Sequence, residues 1–240
     1  MEDIKLVCFD VDGTLVEGNS WLYLTKGLRG SEKKHIKIFH QFRQGKISLG
    51  KAEKLLLKMY RKSGGIFRKI LRVVFSVFLK FLSRFYYLRW QKPTKDLIKE
   101  IFSNIRLKDG SQELISYLKG KGYKIFLVSG AIDMYVEEVA KKLKIDGFYA
   151  AASLGFDKKG ILNRIYYQAN QGEIKVRQLE EIARRLDVSL EEIVFVGDSD
   201  NDIRAFEVTK HGIAVSSQCG KLKEVAWKEV KDIREIKNIL

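Results

Sequence analysis

The chain has 240 residues, of which 45% are hydrophobic and 31% charged, as is typical of a globular protein. Its single proline and the lack of low-complexity tracts exclude a disordered chain or one with long linkers. The formal net charge of +15 is uneven, because residues 54–95 hold twelve Lys and Arg and no acid. This asymmetry indicates a separate unit with its own surface role. The first residues lack the basic start and apolar run of a signal peptide, so we expect a cytoplasmic protein.

The first predicted element is a buried strand that ends in an acidic turn. Apolar residues 6–9 are followed at once by Asp10, Val11, Asp12 and Gly13. A fully apolar strand is typical of a parallel sheet, where ligands collect beyond the carboxyl ends of the strands. Two carboxylates this close repel each other unless a cation or a proton lies between them, which indicates an acid–base or divalent-metal site. The motif alone leaves a solvated Asp-Gly turn open as the alternative.

From residue 16 to about residue 94 the apolar pattern is helical. One helix is predicted to begin at Ser31 and to stop at Gly45, and a second runs from Ser48 to Gly64. Residues 16–94 therefore form a helical insert after the first strand.

A third helical candidate, residues 66–90, holds 17 apolar or aromatic residues out of 25 and six cations. Its longest uncharged run, residues 73–79, is far shorter than the roughly 20 residues that span a bilayer. Three interpretations stay open. The helix packs within the insert, forms a homodimer with a second copy, or lies on an anionic membrane surface as a peripheral anchor. Its cations lie among aliphatic residues, so we expect no nucleic-acid partner.

After Pro93, predicted strands and helices alternate. The predicted helices cover residues 95–104, 111–118, 133–143 and 176–186, and the predicted strands cover residues 123–128, 148–152, 193–196 and 212–215. A hairpin turn is predicted at residues 157–160. This alternation predicts an α/β fold with a doubly wound parallel sheet.

Polar clusters follow three of these strands. Asp10 and Asp12 follow the first strand. Ser129-Gly130 follows the second, and residues 198–202 follow a third, about 190 residues from the first cluster. The carboxyl ends of parallel strands share one edge, so we expect the clusters to converge there together with Lys175, at the start of a helix. Acids, a hydroxyl and a lysine in one crevice indicate a hard divalent cation, Mg²⁺, and an anionic substrate.

These motifs resemble those of the haloacid dehalogenase superfamily of phosphatases, in particular its phosphoserine-phosphatase-like branch. The four motifs of that family are matched in order by residues 10–14, Ser129-Gly130, Lys175 and residues 197–202. The resemblance covers nearly the whole chain. It implies a Rossmann-like core formed by residues 1–15 and 95–240, with residues 16–94 inserted as a helical cap domain.

The resemblance also implies a Mg²⁺-dependent phosphomonoester hydrolase. Asp10 would be the nucleophile that forms an aspartyl-phosphate, and Asp12 the general acid and then the general base. Asp10, Asp198 and the backbone carbonyl of Asp12 would hold the metal, with Asp202 positioning Lys175 or a metal-bound water. The residues that would hold the phosphate are Gly13, Thr14, Ser129, Gly130, Lys175 and Asn201.

Substrate specificity is implied to lie in the cap. Phosphoserine phosphatases carry a glutamate after the first motif that pairs with the substrate's amino group, whereas this chain has Asn19 at that place and Glu17 offset by two. This departure weakens a phosphoserine assignment considerably. We expect a small phosphorylated metabolite, phosphoserine-like or other, with Asn19, Ser20 and Trp21 as candidate contacts. A phosphorylated lipid or lipid precursor at a membrane surface is the alternative. A phosphotransferase or a catalytically silent phosphate-binding protein ranks below it.

Overall fold

The computed structural model describes residues 4–62 and 92–240. The predicted helix over residues 66–90 lies outside the described residues, so its packing, the homodimer and the membrane contact stay predictions. The chain forms two compact units. The first comprises Met1–Ser20, Ile105–Ser153 and Tyr167–Leu240, and the second comprises Trp21–Asn104 and Leu154–Tyr166.

A seven-stranded sheet dominates the fold. Its strands are β1 (Leu6–Phe9), β2 (Lys124–Ile132), β3 (Gly147–Phe156), β4 (Leu162–Tyr167), β5 (Ile193–Gly197), β6 (His211–Val215) and β7 (Lys228–Val230). The order is β4-β3-β2-β1-β5-β6-β7, so the first strand lies in the centre. β1 pairs in parallel with β2 and β5, and the pairs β2–β3, β5–β6 and β6–β7 are also parallel. The predicted doubly wound parallel sheet is confirmed.

Helices lie between these strands along the chain. In the described residues they are α1 (Ser20–Gly27), α2 (Glu32–Arg43), α3 (Leu49–Lys62), α4 (Lys95–Ser103), α5 (Ser111–Gly120), α6 (Asp133–Leu143), α7 (Gln171–Leu186), α8 (Ile203–Thr209) and α9 (Gly220–Val225). Short 3₁₀ turns cover Leu190–Glu192, Asp200–Asp202 and Ile233–Asn238. Among these helices, none combines the length and the apolar character needed to cross a bilayer.

The central strand β1 is buried on both faces. Leu6 and Cys8 pack into an apolar core with residues of α7, α8 and α9. Val7 and Phe9 point to the opposite face, because side chains alternate along a strand, and they are equally inaccessible to solvent. α5 and α6 pack against the neighbouring strand β2. Because helices cover both faces of the sheet at β1, side chains on both faces of this strand are apolar. The sequence therefore shows an uninterrupted apolar run at residues 6–9.

Two predicted boundaries were wrong. We expected the second strand to stop at Ser129-Gly130, but β2 continues to Ile132, with an irregular register against β3 after Ser129. We expected a helix from residue 176, but α7 begins at Gln171, so Lys175 lies in its second turn. Gly172 lowers the helix propensity of residues 171–175, which explains the late predicted start. In the folded chain the side chain of Arg204 packs closely against Gly172, and this tertiary contact outweighs the low propensity.

The second unit contains α2, α3 and α4, with Ser31 capping α2 and Thr94 capping α4 as N-terminal residues. A buried polar group lies within it: His35 Nδ1 is 3.0 Å from Thr25 Oγ1 and 3.2 Å from the hydroxyl of Tyr60. Burial lowers the pKa of His35 to about 4.

The predicted hairpin turn is also in this second unit. Asp157 Oδ1 accepts hydrogen bonds from the backbone N–H groups of Lys159 and Ile161, each at 2.9 Å. The first segment of this unit, Trp21–Asn104, starts and ends within about ten residues of the predicted insert, whereas its second segment, Leu154–Tyr166, lies outside the insert. Its role as a cap over the site, with boundaries at residues 16 and 94, stays a prediction.

Candidate active site

The register of the central strands brings distant residues together. Phe9, the last residue of β1, is paired with Leu127 of β2 and with Val196 of β5. Asp10 and Asp198 therefore emerge side by side at the carboxyl edge of the sheet. The backbone N–H of Asp10 donates to the carbonyl of Val196 at 2.9 Å, which continues the pairing of these strands into the turn.

Three carboxylates form a cluster at this edge. Asp10, Asp198 and Asp202 each place an oxygen within 4.8 Å of the others. Asp10 is 5% and Asp202 0% exposed, while Asp198 is half-buried. Three carboxylates this close repel one another unless positive charge lies between them, and their oxygens are the ligands that hard divalent cations prefer. The cluster therefore fits a divalent-metal site.

Lys175 supplies part of that positive charge. Its Nζ lies 3.0 Å from Oδ1 of Asp10 and 2.5 Å from Oδ1 of Asp202. Burial alone would lower the pKa of Lys175, but the charges of the two carboxylates outweigh it and raise the pKa above its ordinary value. Lys175 is thus a permanent cation that fixes the orientation of Asp10.

Asp202 is held by its own loop. Its Oδ2 accepts hydrogen bonds from the backbone N–H groups of Asp198 and Ser199, each at 3.1 Å. Ser199 and Asp202 also form a reciprocal capping box at the start of the 3₁₀ turn. One oxygen of Asp202 therefore organises the loop while the other pairs with Lys175.

Asp198 is fixed by the first motif. Thr14 Oγ1 donates to Asp198 Oδ1 at 3.1 Å, so this hydroxyl is directed to the acidic cluster. Gly13 has a φ of +79°, and a methyl group built on it would lie 2.3 Å from Asp198 Oδ2. Only glycine suits both the backbone and this close approach. Burial and the charges of Asp10 and Asp202 raise the pKa of Asp198 to about 6.

Asp12 has a separate environment. The backbone N–H of Ser20 donates to its two carboxylate oxygens at 3.0 and 3.1 Å, and Ser20 Oγ donates to Oδ2 at 3.1 Å. Burial and the charge of Asp10 raise the pKa of Asp12 to about 7, against the opposing hydrogen bonds from Ser20 and Tyr135. A carboxyl group that exchanges a proton near neutral pH is suited to general acid–base chemistry.

The second motif lies beside this cluster in the first unit. Ser129 is 1% exposed, and its Oγ accepts a hydrogen bond from the backbone N–H of Ala131 at 3.2 Å. In this hydrogen bond the Ser129 hydroxyl is the acceptor, so it can still donate its own proton to another group. A methyl group built on Gly130 would lie 2.1 Å from Oε1 of Gln171, so the glycine lets the start of α7 approach the strand.

The remaining predicted site residues lie in different surroundings. Asn19 and Asn201 are exposed. Ser20, expected to contact substrate, is fully buried and hydrogen-bonded to Asp12. Trp21 belongs to the second unit, where it is 4% exposed and its ring centroid lies 6.1 Å from that of Phe39.

The structure adds three residues that the motifs did not include. Lys108 Nζ donates to the carbonyl of Gly13, and its charge opposes part of the rise in the pKa of Asp198. Tyr135 is fully buried in α6 and contacts Asp12. Gln171 precedes Lys175 by one helical turn. None of the three had a usable signal in the sequence, because the predicted helix begins only at residue 176 and leaves Gln171 outside it.

Comparison with known proteins agrees with this geometry. A family model for haloacid dehalogenase-like hydrolases matches residues 4–208. The chain belongs to this family. The recognition made from its motifs is therefore confirmed, as are the α/β fold class and its assignment as an enzyme of the phosphatase class.

The relatives of this haloacid dehalogenase-like hydrolase align with it over different fractions of its length. A phosphoserine phosphatase from Methanocaldococcus jannaschii is 32% identical over 97% of the chain and 95% of the relative. A phosphoserine phosphatase from Archaeoglobus fulgidus is 34% identical over 55% of the chain, which spans only 38% of that relative. A solved structure of a phospho-aspartyl intermediate analogue of phosphoserine phosphatase has a TM-score of 0.69, 25% identity and full coverage of both chains.

Proposed function

We propose that this protein is a Mg²⁺-dependent phosphomonoester hydrolase that acts on a small phosphorylated metabolite through an aspartyl-phosphate on Asp10. One observation carries the proposal. Asp10 is buried at the carboxyl edge of the sheet, ion-paired to Lys175 at 3.0 Å and within 4.8 Å of the oxygens of Asp198 and Asp202. Side chains suited to act as the nucleophile, as a fixed cation and as metal ligands therefore lie together, which supports the proposal.

In the first half-reaction, a carboxylate oxygen of Asp10 would attack phosphorus while the bond from phosphorus to the leaving oxygen breaks. Lys175 orients the carboxylate and offsets the charge of the approaching phosphate. Asp12, whose pKa of about 7 leaves it partly protonated at neutral pH, would donate its proton to the leaving oxygen.

In the second half-reaction, Asp12 is ionised and would accept a proton from the water that attacks the aspartyl-phosphate. This step releases inorganic phosphate and regenerates the Asp10 carboxylate. The two hydrogen-bond donors of Ser20 hold Asp12 in one orientation, so the same group can serve both steps.

The metal would be held by Asp10 and Asp198, with Asp202 and the carbonyl of Asp12 completing its surroundings. Bound Mg²⁺ would offset the repulsion between the carboxylates and a phosphate dianion. Thr14 supports this arrangement, because its hydroxyl fixes one oxygen of Asp198.

The phosphate would be held by Lys175, the Ser129 hydroxyl and the backbone N–H of Gly130. The backbone N–H groups of Gly13 and Thr14 already donate to the carbonyls of Val16 and Val11, at 3.0 and 3.3 Å. Asn201, exposed in the 3₁₀ turn, stays a predicted contact at the rim. The full-length similarity to phosphoserine phosphatase supports phosphoserine as the first substrate to test.

The test is release of phosphate from O-phosphoserine and from p-nitrophenyl phosphate with Mg²⁺, with EDTA, and in an Asp10→Asn variant. We expect activity that needs the metal and is lost in the variant. Asp200→Asn is the matched control, because Asp200 is an exposed acid two residues from Asp198. Full activity of Asp10→Asn would overturn the proposal.

A further inference from the structure

The second unit contains a cavity that the proposed mechanism does not use. It has a volume of about 560 Å³ and is lined by residues of α2, of α3 and of the loop that precedes α2. All of these residues belong to the second unit. Small-molecule sites have volumes of about 300–1,000 Å³, whereas a stable protein partner covers about 800 Å² of surface. The size of the cavity therefore fits a small ligand.

Part of the cavity wall is apolar. Ile38 of α2 and Leu55 and Met59 of α3 line it, and all three are half-buried. Leu55 and Met59 are four residues apart and so share one face of α3. Gly30 adds no side chain to the wall, and a methyl group built on it would lie 3.5 Å from Cε of Met59. This wall suits an alkyl chain, and the flexible methionine can adapt to its shape.

The charged residues around the cavity all have the same sign. Four of the lining residues are cations and none is an acid: Arg29, Lys34, Lys37 and Lys58. All four are exposed, and within the described part of the chain none of them forms an ion pair. Lys34 and Lys37 are three residues apart on α2, so their like charges repel each other. An anion bound among the four cations would offset this repulsion.

The residues outside the described part of the chain do not supply that anion. Residues 66–90 are rich in apolar side chains, but they carry six cations and no acid. The charge of this segment is therefore repelled by the cations of the cavity. A ligand that complements both the apolar wall and the positive charge must combine an apolar chain with an anionic end.

We propose that this cavity binds one molecule of an anionic amphiphile with a single alkyl chain. The chain covers Ile38, Leu55 and Met59, and the terminal anion, a carboxylate or a phosphate, lies among the four cations. This site goes beyond the proposed function and does not depend on it.

The experiment is isothermal titration calorimetry of the native protein with decanoate, decan-1-ol and acetate, each below the concentration at which it forms micelles. Decanoate has no phosphate ester, so the proposed hydrolysis does not consume it. We expect one decanoate per chain, with a Kd about tenfold lower than that of decan-1-ol, and no measurable binding of acetate. Raising the salt concentration from about 0.05 M to about 0.5 M should remove most of the difference between decanoate and decan-1-ol.

Decyl phosphate is titrated into the Asp10→Asn variant, in which we expect no hydrolysis. The compound with the lower Kd, decanoate or decyl phosphate, identifies the preferred anionic end.

Two sets of variants test the charge and the apolar wall. In the double variant Lys34→Gln and Lys37→Gln, the Kd of decanoate should rise about tenfold while that of decan-1-ol stays unchanged. The matched control is Lys95→Gln with Lys99→Gln, which removes two exposed cations from α4, a helix of the same unit that contributes no residue to the cavity. It should keep the native Kd of decanoate. Ile38→Gln should weaken decanoate and decan-1-ol alike, and melting temperatures would show that each variant is folded.

No saturable binding of either decanoate or decyl phosphate would overturn the inference. So would equal binding of decanoate and decan-1-ol by the native protein, or several decanoate molecules bound per chain. An equal rise of Kd in the double variant and in its α4 control would also overturn it, because the effect would then come from net charge alone. None of these results bears on phosphate release, so they leave the proposed function to its own test.

Discussion

Nζ of Lys175 lies 2.5 Å from Oδ1 of Asp202, and both side chains are inaccessible to solvent. Removing one partner of such a pair leaves an uncompensated buried charge. We expect Lys175→Met, assayed in EDTA, to lower the free energy of unfolding by about 3 kcal/mol in urea titration. Lys223→Met, which breaks an exposed pair with Glu229, should cost less than about 1 kcal/mol. Equal losses in the two variants would contradict the assigned role of Lys175.

The close approach of Gly13 to Asp198 gives a second prediction. In Gly13→Ala the methyl group would displace the Asp198 carboxylate, so we expect Mg²⁺-dependent hydrolysis to fall by at least about tenfold. Gly18→Ala is the matched control, because Gly18 also has a positive φ but has open space around its Cα. The control shares the backbone strain of the first variant and lacks its steric conflict. Steady-state kinetics of both variants, with their melting temperatures, would separate the two effects.

The acidic cluster predicts that metal binding stabilises the folded chain. An ion that binds the native state at one hundred times its Kd adds about 2.7 kcal/mol to the free energy of unfolding. We therefore expect Mg²⁺ to raise the melting temperature of the native protein and to have little effect on Asp198→Asn. Asp200→Asn should behave like the native protein. A Mg²⁺ response that persists in Asp198→Asn would place the metal elsewhere.

His35 predicts a pH dependence of stability in the second unit. Its pKa falls from 6.5 to about 4 on folding, so the unfolded chain binds a proton that the folded chain does not bind between these values. Stability from this group is complete above pH 6.5 and is lost as the pH falls towards 4, by up to about 3 kcal/mol.

The measurement for His35 is the free energy of unfolding between pH 7 and 4.5. His35→Gln should flatten the decline, and His40→Gln, at an exposed position of the same helix, should not. An unchanged slope in His35→Gln would assign the pH dependence to other groups.

The two acidic motifs were predictable because each follows the end of a strand. The apolar run before Asp10 marks a central parallel strand, and the acids near Asp198 follow a second such strand, so their convergence follows from topology. The start of the helix that contains Lys175 was predicted too late, because Gly172 has a low helix propensity and lies in the first turn. The Ser129-Gly130 pair likewise indicated a stop where pairing with β3 keeps the strand extended.

Other features depend on contacts that no local pattern carries. Lys108 lies in a turn, and nothing in the local sequence distinguishes it from a solvent-exposed lysine. Its hydrogen bond to the carbonyl of Gly13 forms only because the folded chain brings residues 95 positions apart together. Thr14 is part of a motif, yet its partner, Asp198, is 184 residues away. The direction of the Gln171 amide depends on Gln168 and Gly130 together, so it follows only from three-dimensional structure.

The position of β1 in the middle of the sheet also bears on how activity is lost. Backbone amides of this strand are paired on both sides, and the pairing extends to the N–H of Asp10. Such amides exchange with deuterium only when the whole core opens. Asp10, the proposed nucleophile, is therefore attached to a strand that opens only with the core, and we expect local unfolding elsewhere to leave its position unchanged.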